Sequence, residues 1–220
     1  MSSLSLGIKN IFSRASREQC ITNLKKFHVA KMRRKGVQPS ASAAVLVPLC
    51  SINDISSLLY TVRSANLKSH SGQISFPGGK TDNTETPMET ALRETQEEIG
   101  LLPNKIDIWG CGPEIPGKDN RMGITPVIGL INDLSEDDLT LNINEVSEVF
   151  AVPLQELCNS KNQCYTQFAN GIILPVFVAD EYKIWGITAY ITHMVLSCLL
   201  SEDVYRNNWM QSKIDMKYKK

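Results

Sequence analysis

The segment PMETALRETQEEI, residues 87–99, constrains this chain more than any other part of its sequence. Local signals mark both of its ends as helix ends. Thr86 and Glu89 have the spacing of a capping box. Pro87 stands at the first helical position, and Gly100 follows the last. We therefore predict a short helix whose boundaries are fixed by the local sequence.

Three carboxylates, those of Glu94, Glu97 and Glu98, lie along one flank of this helix. Like charges three or four residues apart repel each other and destabilise an isolated helix. A hard divalent cation would remove that repulsion, because Mg²⁺ prefers carboxylate oxygens and shares its coordination shell with substrate phosphates. We predict that these glutamates bind Mg²⁺ or Mn²⁺ and that Arg93 braces Glu97. A solvated, glutamate-rich helix is the alternative interpretation.

The same helix carries a stripe of mainly apolar residues that should face the protein core. A threonine on this stripe can point its methyl group inward and bond its hydroxyl to a backbone carbonyl of the preceding turn. The stripe consists of Met88, Ala91, Leu92, Thr95 and Ile99.

Outside this helix, short apolar segments alternate with turn-forming residues. Asn53 and Asp54 separate residues 43–50 from residues 58–62, and we predict that these two segments pair as antiparallel strands. This order of elements favours an α/β protein with a mixed sheet between helices. Further apolar segments lie at residues 73–76, 106–110, 124–131, 146–152, 172–178 and 184–187, and further helices are predicted at residues 153–158 and 188–200.

The acidic helix and the loop before it resemble the signature of the Nudix hydrolase superfamily. That resemblance implies the Nudix fold, a mixed β-sheet sandwiched between α-helices, and metal-dependent hydrolysis of a diphosphate. It also implies that Arg93 and the three glutamates belong to the catalytic set. Glu85 is expected to orient the motif rather than to bind the metal. The matching positions are Gly79, Glu85, Arg93, Glu94, Glu97, Glu98 and Gly100.

A second motif directly precedes the first, in the sequence LYTVRSANLKSHSGQISFPGG. It resembles the accessory motif of the coenzyme A diphosphatase branch of this superfamily, and most of residues 39–200 resembles the mitochondrial enzymes of that branch in animals. The resemblance implies cleavage of coenzyme A, or of its derivatives, to 4′-phosphopantetheine or its acyl form and adenosine 3′,5′-bisphosphate. The matching positions are Thr61, Arg63, Ser64, Gly72, Phe76, Pro77, Gly78 and Gly79.

A substrate with three phosphate groups requires an anion-binding site beside the metal. Arg63 and Lys68 are the nearest candidates, although Lys68 stands where the branch has a second arginine and lacks its planar fork. Gly72, Gly78 and Gly79 would let the backbone approach the phosphates. The alternatives are a surface ion pair for Arg63 and a tight turn for the glycines.

The reaction requires a water molecule to attack one phosphorus atom, and a general base would assist it. Glu145 and Glu148 are the candidates for that base, since both precede or begin an apolar strand segment outside the motif. Either residue could instead be a solvated side chain of an edge strand.

Other functions remain open from the sequence. A Nudix hydrolase could cleave an ADP-sugar, a dinucleotide or an RNA cap, and a Nudix-like module could bind a nucleotide without cleaving it. The metal-binding carboxylates argue against a pure binding module. We expect a small-molecule substrate and no nucleic-acid partner.

The first 40 residues hold nine Lys or Arg residues against one acid, Glu18. Together with an apolar stripe at residues 4, 8, 11 and 12, this composition is typical of a mitochondrial transit peptide. A solvated arm, or a patch for nucleic acid or an anionic membrane, is the alternative. Residues 17–35 could instead contain the first helix of the domain.

We divide the chain into residues 1–38 as targeting segment, 39–205 as Nudix domain and 206–220 as basic tail.

The remaining composition narrows the class of protein. A chain of 220 residues with 42% hydrophobic residues can bury one good-sized core. Six cysteines without a Cys-x-x-Cys pair, and three scattered histidines, favour neither a zinc site nor a disulfide framework. Residues 185–200 are too few and too polar to span a bilayer, so we predict a packed helix on which His193 is a satisfied core or rim residue.

Overall fold

A computed structural model describes residues 11–29, 39–67, 70–82, 84–117, 120–168 and 171–214 of the chain. Lys68, one of the predicted anion-binding residues, lies outside the described residues. Within them the α-helices are α1 (Arg14–Lys26), α2 (Pro87–Ile99), α3 (Leu154–Cys158) and α4 (Gly186–Leu199).

The strands follow the predicted order closely. They are β1 (Ala41–Ile52), β2 (Ile55–Arg63), β3 (Ile74–Ser75), β4 (Gly78–Lys80), β5 (Ile106–Cys111), β6 (Ile115–Pro116), β7 (Met122–Ile131), β8 (Val146–Pro153), β9 (Gln163–Gln167), β10 (Ile173–Ala179) and β11 (Tyr182–Ile184).

A mixed sheet forms the centre of the molecule, with strand order β3-β2-β1-β7-β5. Strand β1 runs parallel to β7 and antiparallel to β2, while β4, β6 and β8 pair with β1, β7 and β2 respectively. A second, antiparallel sheet has the order β11-β10-β9. The predicted α/β architecture with a mixed sheet between helices is confirmed.

The turn between β1 and β2 is as predicted. Asn53 and Asp54 both adopt positive φ angles, of 50° and 62°. A two-residue hairpin turn of this kind requires positive φ at both positions, and Asn and Asp tolerate that conformation better than most residues. The turn aligns Ile52 with Ile55, and the two strands pair in antiparallel register.

Both faces of β1 are buried, which explains its continuous apolar sequence. Ala44 and Leu46 face the side of the sheet that α2 covers, whereas Val47 and Leu49 face the side on which α1 and α4 lie. Because successive side chains of a strand point to opposite faces, one strand contributes to two separate cores.

Helix α2 has the predicted boundaries and both halves of the predicted capping box. Thr95 is fully buried, and its hydroxyl donates to the Ala91 carbonyl at 2.6 Å, as expected. The prediction for Met88 is wrong, since this residue is 42% exposed. Burial on α2 begins only at Thr90, because the first turn lies outside the core.

The apolar segment 184–187 is divided between two elements. Strand β11 ends at Ile184, and α4 begins two residues later. Gly186 has a φ of +65°, which ends the extended backbone and starts the helix.

Within α4, His193 is 8% exposed and its Nδ1 lies 2.9 Å from the Tyr205 hydroxyl, so it is a satisfied core histidine.

Helix α1 packs on the body of the domain. Cys20 and Leu24 are buried, and Asn23 Nδ2 donates to the Cys198 carbonyl at the end of α4. Arg17 forms an ion pair of 2.8 Å with Asp107 on β5. Part of the basic segment is therefore a helix of the folded domain. The targeting role of residues 1–38 stays a prediction, and residues 1–10 and 30–38 lie outside the described residues.

Part of the segment assigned to the basic tail also contacts the domain. Trp209 lies in a short 3-10 helix and is 8% exposed, and the Ile214 amide donates to the Tyr165 carbonyl on β9 at 2.8 Å. No helix in the described part of the chain is long and apolar enough to cross a membrane.

Candidate active site

The site lies where α2 packs against β4, and Glu98 is its most buried carboxylate. Glu98 is 2% exposed and accepts a hydrogen bond of 3.2 Å from the Gly78 amide. The Arg63 guanidinium is 3.6 Å away. Burial raises the pKa of Glu98 to about 7, and the charges of Glu94 and Glu145 act in the same direction. Glu98 is therefore a desolvated carboxylate whose charge is only partly balanced.

Glu94 lies one turn earlier on α2, against the backbone of β4. A Cβ atom at Gly79 would overlap the Glu94 carboxylate, so only glycine leaves room for this contact. Burial raises the pKa of Glu94, while its bond with Arg93 acts in the opposite direction. The adjacent Gly78 makes a similarly close approach, because a Cβ there would overlap the backbone of Val45 on β1.

Arg93 connects the motif to the preceding loop. Its Nε and Nη2 donate to the two carboxylate oxygens of Glu85, at 2.6 and 3.0 Å, and its Nη1 donates to Glu94 and Glu97, at 2.9 and 3.0 Å. The predicted contact between Arg93 and Glu97 is present. The bond with Arg93 is the main reason that the pKa of Glu85 falls to about 2. Glu85 thus holds Arg93, in keeping with an orienting role.

Glu145 comes from the loop before β8 and lies close enough to Glu94 and Glu98 for its charge to raise the pKa of both. Asn142 Nδ2 donates to Glu145 Oε1 at 3.2 Å, and the Asn142 amide donates to the Glu98 carbonyl at 2.9 Å. Asn142 therefore joins Glu145 to α2. Sequence reasoning missed Asn142, although its position three residues before a candidate base was a usable signal.

Glu148, the other candidate base, lies in a different environment. It sits on β8 opposite Val62 and accepts a hydrogen bond from the Tyr182 hydroxyl on the second sheet. The structure thus brings Glu145 to the motif glutamates and turns Glu148 toward β11.

Of the two predicted anion-binding residues, the structure describes only Arg63. Its side chain is 26% exposed, and its Nε is buried without a hydrogen-bond partner among the described residues.

Of the predicted glycines, Gly72 has a φ of +68° and open space around its Cα, as expected in a turn. Gly78 and Gly79 are required by packing, as described above.

The donor set has the chemistry that a hard divalent cation requires. Glu94 and Glu98 are partly or fully desolvated carboxylates with raised pKa values, and both contact β4 at neighbouring residues. Among the residues that the structure describes, however, no three His, Cys, Asp or Glu side chains already converge as metal ligands. Arg93 holds one carboxylate oxygen of Glu97, Oε2, and a cation could bind the other oxygen without loss of that contact.

Comparisons with known proteins agree with this geometry. The model of the NUDIX domain matches residues 41–170. The mitochondrial coenzyme A diphosphatase NUDT8 of Homo sapiens is 43% identical over 165 residues, which cover 72% of this chain and 70% of that protein. Nudix hydrolase 3 of Caenorhabditis elegans is 33% identical over 226 residues, covering 91% of each chain. The uncharacterized Nudix hydrolase NudL of Pectobacterium atrosepticum is 36% identical, covering 72% of this chain and 83% of its own.

The matched region contains the central sheet, α2 and the carboxylates at their junction. Nudix hydrolases generally depend on divalent metals, which fits the acidic donor set of α2. The chain is therefore a member of the Nudix hydrolase family.

Proposed function

We propose that this protein hydrolyses the diphosphate bond of coenzyme A or its derivatives, with Mg²⁺ or Mn²⁺ as the metal. The products would be 4′-phosphopantetheine, or its acyl form, and adenosine 3′,5′-bisphosphate. The observation that carries the proposal is the position of Arg63. This residue of the accessory motif reaches the most buried motif glutamate, Glu98, at 3.6 Å. The similarity to the human mitochondrial coenzyme A diphosphatase supports the same substrate.

Glu94, Glu97 and Glu98 would hold the metal. When bound, the metal screens the diphosphate oxygens and increases the acidity of a coordinated water. Arg93 positions Glu94 and Glu97 through its Nη1, and Glu85 positions Arg93. This arrangement keeps the helix carboxylates in place while their mutual repulsion is unrelieved.

Glu145 would act as the general base. Asn142 binds one of its carboxylate oxygens, and the other can accept the proton of the attacking water. Arg63 would bind the diphosphate, because its side chain is partly exposed beside Glu98 and a guanidinium can donate two hydrogen bonds to one phosphate. Lys68, Gly72, Gly78 and Gly79 complete the proposed substrate-binding set, with Gly78 keeping the loop close to Glu98 and Gly79 keeping it close to Glu94.

We further propose a mitochondrial location, supported by the basic amino-terminal composition and by the similarity to the mitochondrial human relative. Because α1 packs on the domain, cleavage after this helix would remove it and expose the Cys198 carbonyl of α4, to which Asn23 donates. Amino-terminal sequencing of the protein isolated from mitochondria tests this. Recovery of the protein only outside mitochondria would overturn the proposal.

Product analysis tests the reaction. Purified protein is incubated with Mg²⁺ or Mn²⁺ and with coenzyme A, acyl-coenzyme A, ADP-ribose or NADH, and the products are separated. We expect 4′-phosphopantetheine and adenosine 3′,5′-bisphosphate from coenzyme A, with much slower turnover of the other two nucleotides. Faster hydrolysis of ADP-ribose or NADH would assign the enzyme to another substrate.

The variant Glu98→Gln tests the proposed metal site, and Glu89→Gln on the same helix is its control. Glu89 is exposed and belongs to the capping box, a position that glutamine also fills. We expect Glu98→Gln to lose metal-dependent hydrolysis and Glu89→Gln to retain it.

A further inference from the structure

A cleft of about 360 Å³ opens between the end of β2 and the second sheet. Val62 and Ile74 line one side of it, and residues of β11 with Trp185 line the other. Its volume falls within the range of small-molecule sites, about 300–1,000 Å³. None of the residues predicted to bind the metal lines this cleft.

The cleft begins beside the proposed diphosphate site. Val62 is the chain neighbour of Arg63, whose side chain reaches Glu98 from the opposite face of β2. Gly72, which also lines the cleft, donates its amide to the Arg63 carbonyl at 2.9 Å. A ligand whose phosphate contacts Arg63 can therefore extend around the end of β2 into the cleft.

The lining combines apolar and acidic groups. Among the described residues of the lining, Val62, Ile74 and Trp185 supply apolar surface, and Glu148 and Glu181 supply carboxylates against one cation, Lys183. The hydrogen bond with Glu148 is the main cause that raises the pKa of Tyr182 to about 12, and the charge of Glu181 adds to it. The cleft thus favours a ligand that is neutral, partly apolar and rich in hydrogen-bond donors.

Its aromatic wall is held in place before any ligand binds. The Tyr182 ring stacks on Phe150, with ring centroids 3.6 Å apart and planes 7° from parallel, and its hydroxyl donates to Glu148. Phe150 in turn stacks on the buried Tyr60. A preformed wall reduces the entropy cost of binding a flexible chain.

Resting on the function proposed above, we infer that this cleft binds the pantetheine arm of coenzyme A. That arm carries two amide N–H groups and one hydroxyl group for the carboxylates, and methyl and methylene groups for the apolar residues. The adenosine end carries a 3′-phosphate, which two carboxylates against a single lysine would repel. The arm therefore lies on the β11 side of Arg63, and the adenosine end lies away from it.

The two reaction products each contain one end of the substrate, so their binding tests the two ends separately. We would titrate 4′-phosphopantetheine and adenosine 3′,5′-bisphosphate into the full chain with Mg²⁺, using Ile74→Ala and its matched control Ile173→Ala. Both isoleucines lie on strands, Ile74 partly buried and Ile173 exposed, and only Ile74 lines the cleft. We expect Ile74→Ala to weaken 4′-phosphopantetheine binding about tenfold and adenosine 3′,5′-bisphosphate binding less than twofold, with no change for Ile173→Ala.

Glu181→Gln is a second variant that should fold normally, because this side chain is exposed in a turn. We expect it to weaken 4′-phosphopantetheine binding about threefold. Tighter binding of adenosine 3′,5′-bisphosphate to Glu181→Gln would place the adenosine end in the cleft and overturn the inference, as would unchanged binding of both products to both variants. Coenzyme A turnover by the unmodified protein is measured in parallel, so failure of the proposed reaction is recorded separately.

Discussion

Helices α2 and α4 cover opposite faces of the same sheet, yet their sequences meet different demands. Ten of the fourteen residues of α4 are buried, against five of the thirteen residues of α2. Glu98 on α2 and His193 on α4 are both buried titratable groups with strongly shifted pKa values. Burial raises the pKa of the acid to about 7 and lowers that of the base to about 4, because desolvation disfavours the charged form of either group.

The difference lies in what surrounds these groups. His193 lies in the core beside the hydroxyls of Tyr205 and Ser197, which are uncharged groups, so its neutral form is stable there. Among the described residues, Glu98 lies near two other carboxylates and one arginine, Arg63, at 3.6 Å. The comparison shows that α4 is optimised for packing, while α2 retains unbalanced charge that a metal and a phosphate would neutralise. Substitutions on α2 should therefore affect chemistry, and those on α4 should affect stability.

The largest expected effect is on α2. Glu98→Gln should lower kcat by about 10³-fold or more, because it removes a metal-binding carboxylate at the reaction centre. Thermal stability of the metal-free protein should stay the same or rise, since an ionised buried carboxylate is removed. Initial rates and thermal melting curves check both quantities. If the variant melted at a much lower temperature and kept its kcat, Glu98 would stabilise the fold rather than take part in the reaction.

The matching change on α4 is Met194→Ala. Met194 is fully buried in the core formed by α1, α4 and the sheet, and its methyl group reaches Gly112. We expect the free energy of unfolding to fall by about 2–5 kcal/mol, the usual cost of such a cavity. Urea denaturation measures this loss, and kcat/KM of the folded enzyme should be unchanged. A large fall in kcat/KM without loss of stability would contradict the comparison.

The two buried titratable groups predict opposite dependences of stability on pH. For His193 the unfolded state binds more protons between about pH 4 and 6.5, so stability should be lost as pH falls through this window, by up to about 3 kcal/mol. For Glu98 in the metal-free protein the folded state binds more protons between about pH 4.5 and 7, so stability should fall as pH rises.

Denaturation at several pH values, with His193→Gln and Glu98→Gln, separates these contributions. The histidine variant should lose less stability on acidification than the unmodified protein. Identical pH profiles for all three proteins would show that neither buried group is linked to folding.

The smallest effect concerns the attachment of α1. Arg17 donates to Asp107 and to the Ile108 carbonyl, the latter at 2.6 Å, whereas Arg14 pairs with Glu18 in an exposed position. Arg17→Met should lower the free energy of unfolding by about 1 kcal/mol, and the control Arg14→Met should change it by less than about 0.5 kcal/mol. Equal effects in chemical denaturation would mean that Arg17 does not fasten α1 to the sheet.

Local sequence was sufficient where local forces decide the structure. The ends of α2 follow from the capping box, Pro87 and Gly100, and the β1–β2 hairpin follows from Asn53 and Asp54, as the structure confirms. The exposed Met88 shows the limit of this approach. A helical wheel gives the angular position of a residue, but not whether the sheet extends far enough to cover it.

Within the site, sequence spacing placed Glu94, Glu97, Glu98 and Arg93 together because they share one helix, and no distant contact was needed. It could not choose between Glu145 and Glu148. Glu145 lies in the loop before β8 and is bonded to Asn142, whereas Glu148 lies on β8 and is bonded to Tyr182, and both bonds join residues that the sequence alone does not pair.

The sequence by itself thus determined the family, the acidic helix and the order of strands, since these depend on residue type and short-range spacing. Only the tertiary structure decided the burial of Glu98, its contact with Arg63 and the cleft beside β11. Each of these joins residues far apart in the chain. Their pKa values and contacts arise from desolvation and packing, which exist only once the sheet and helices have assembled.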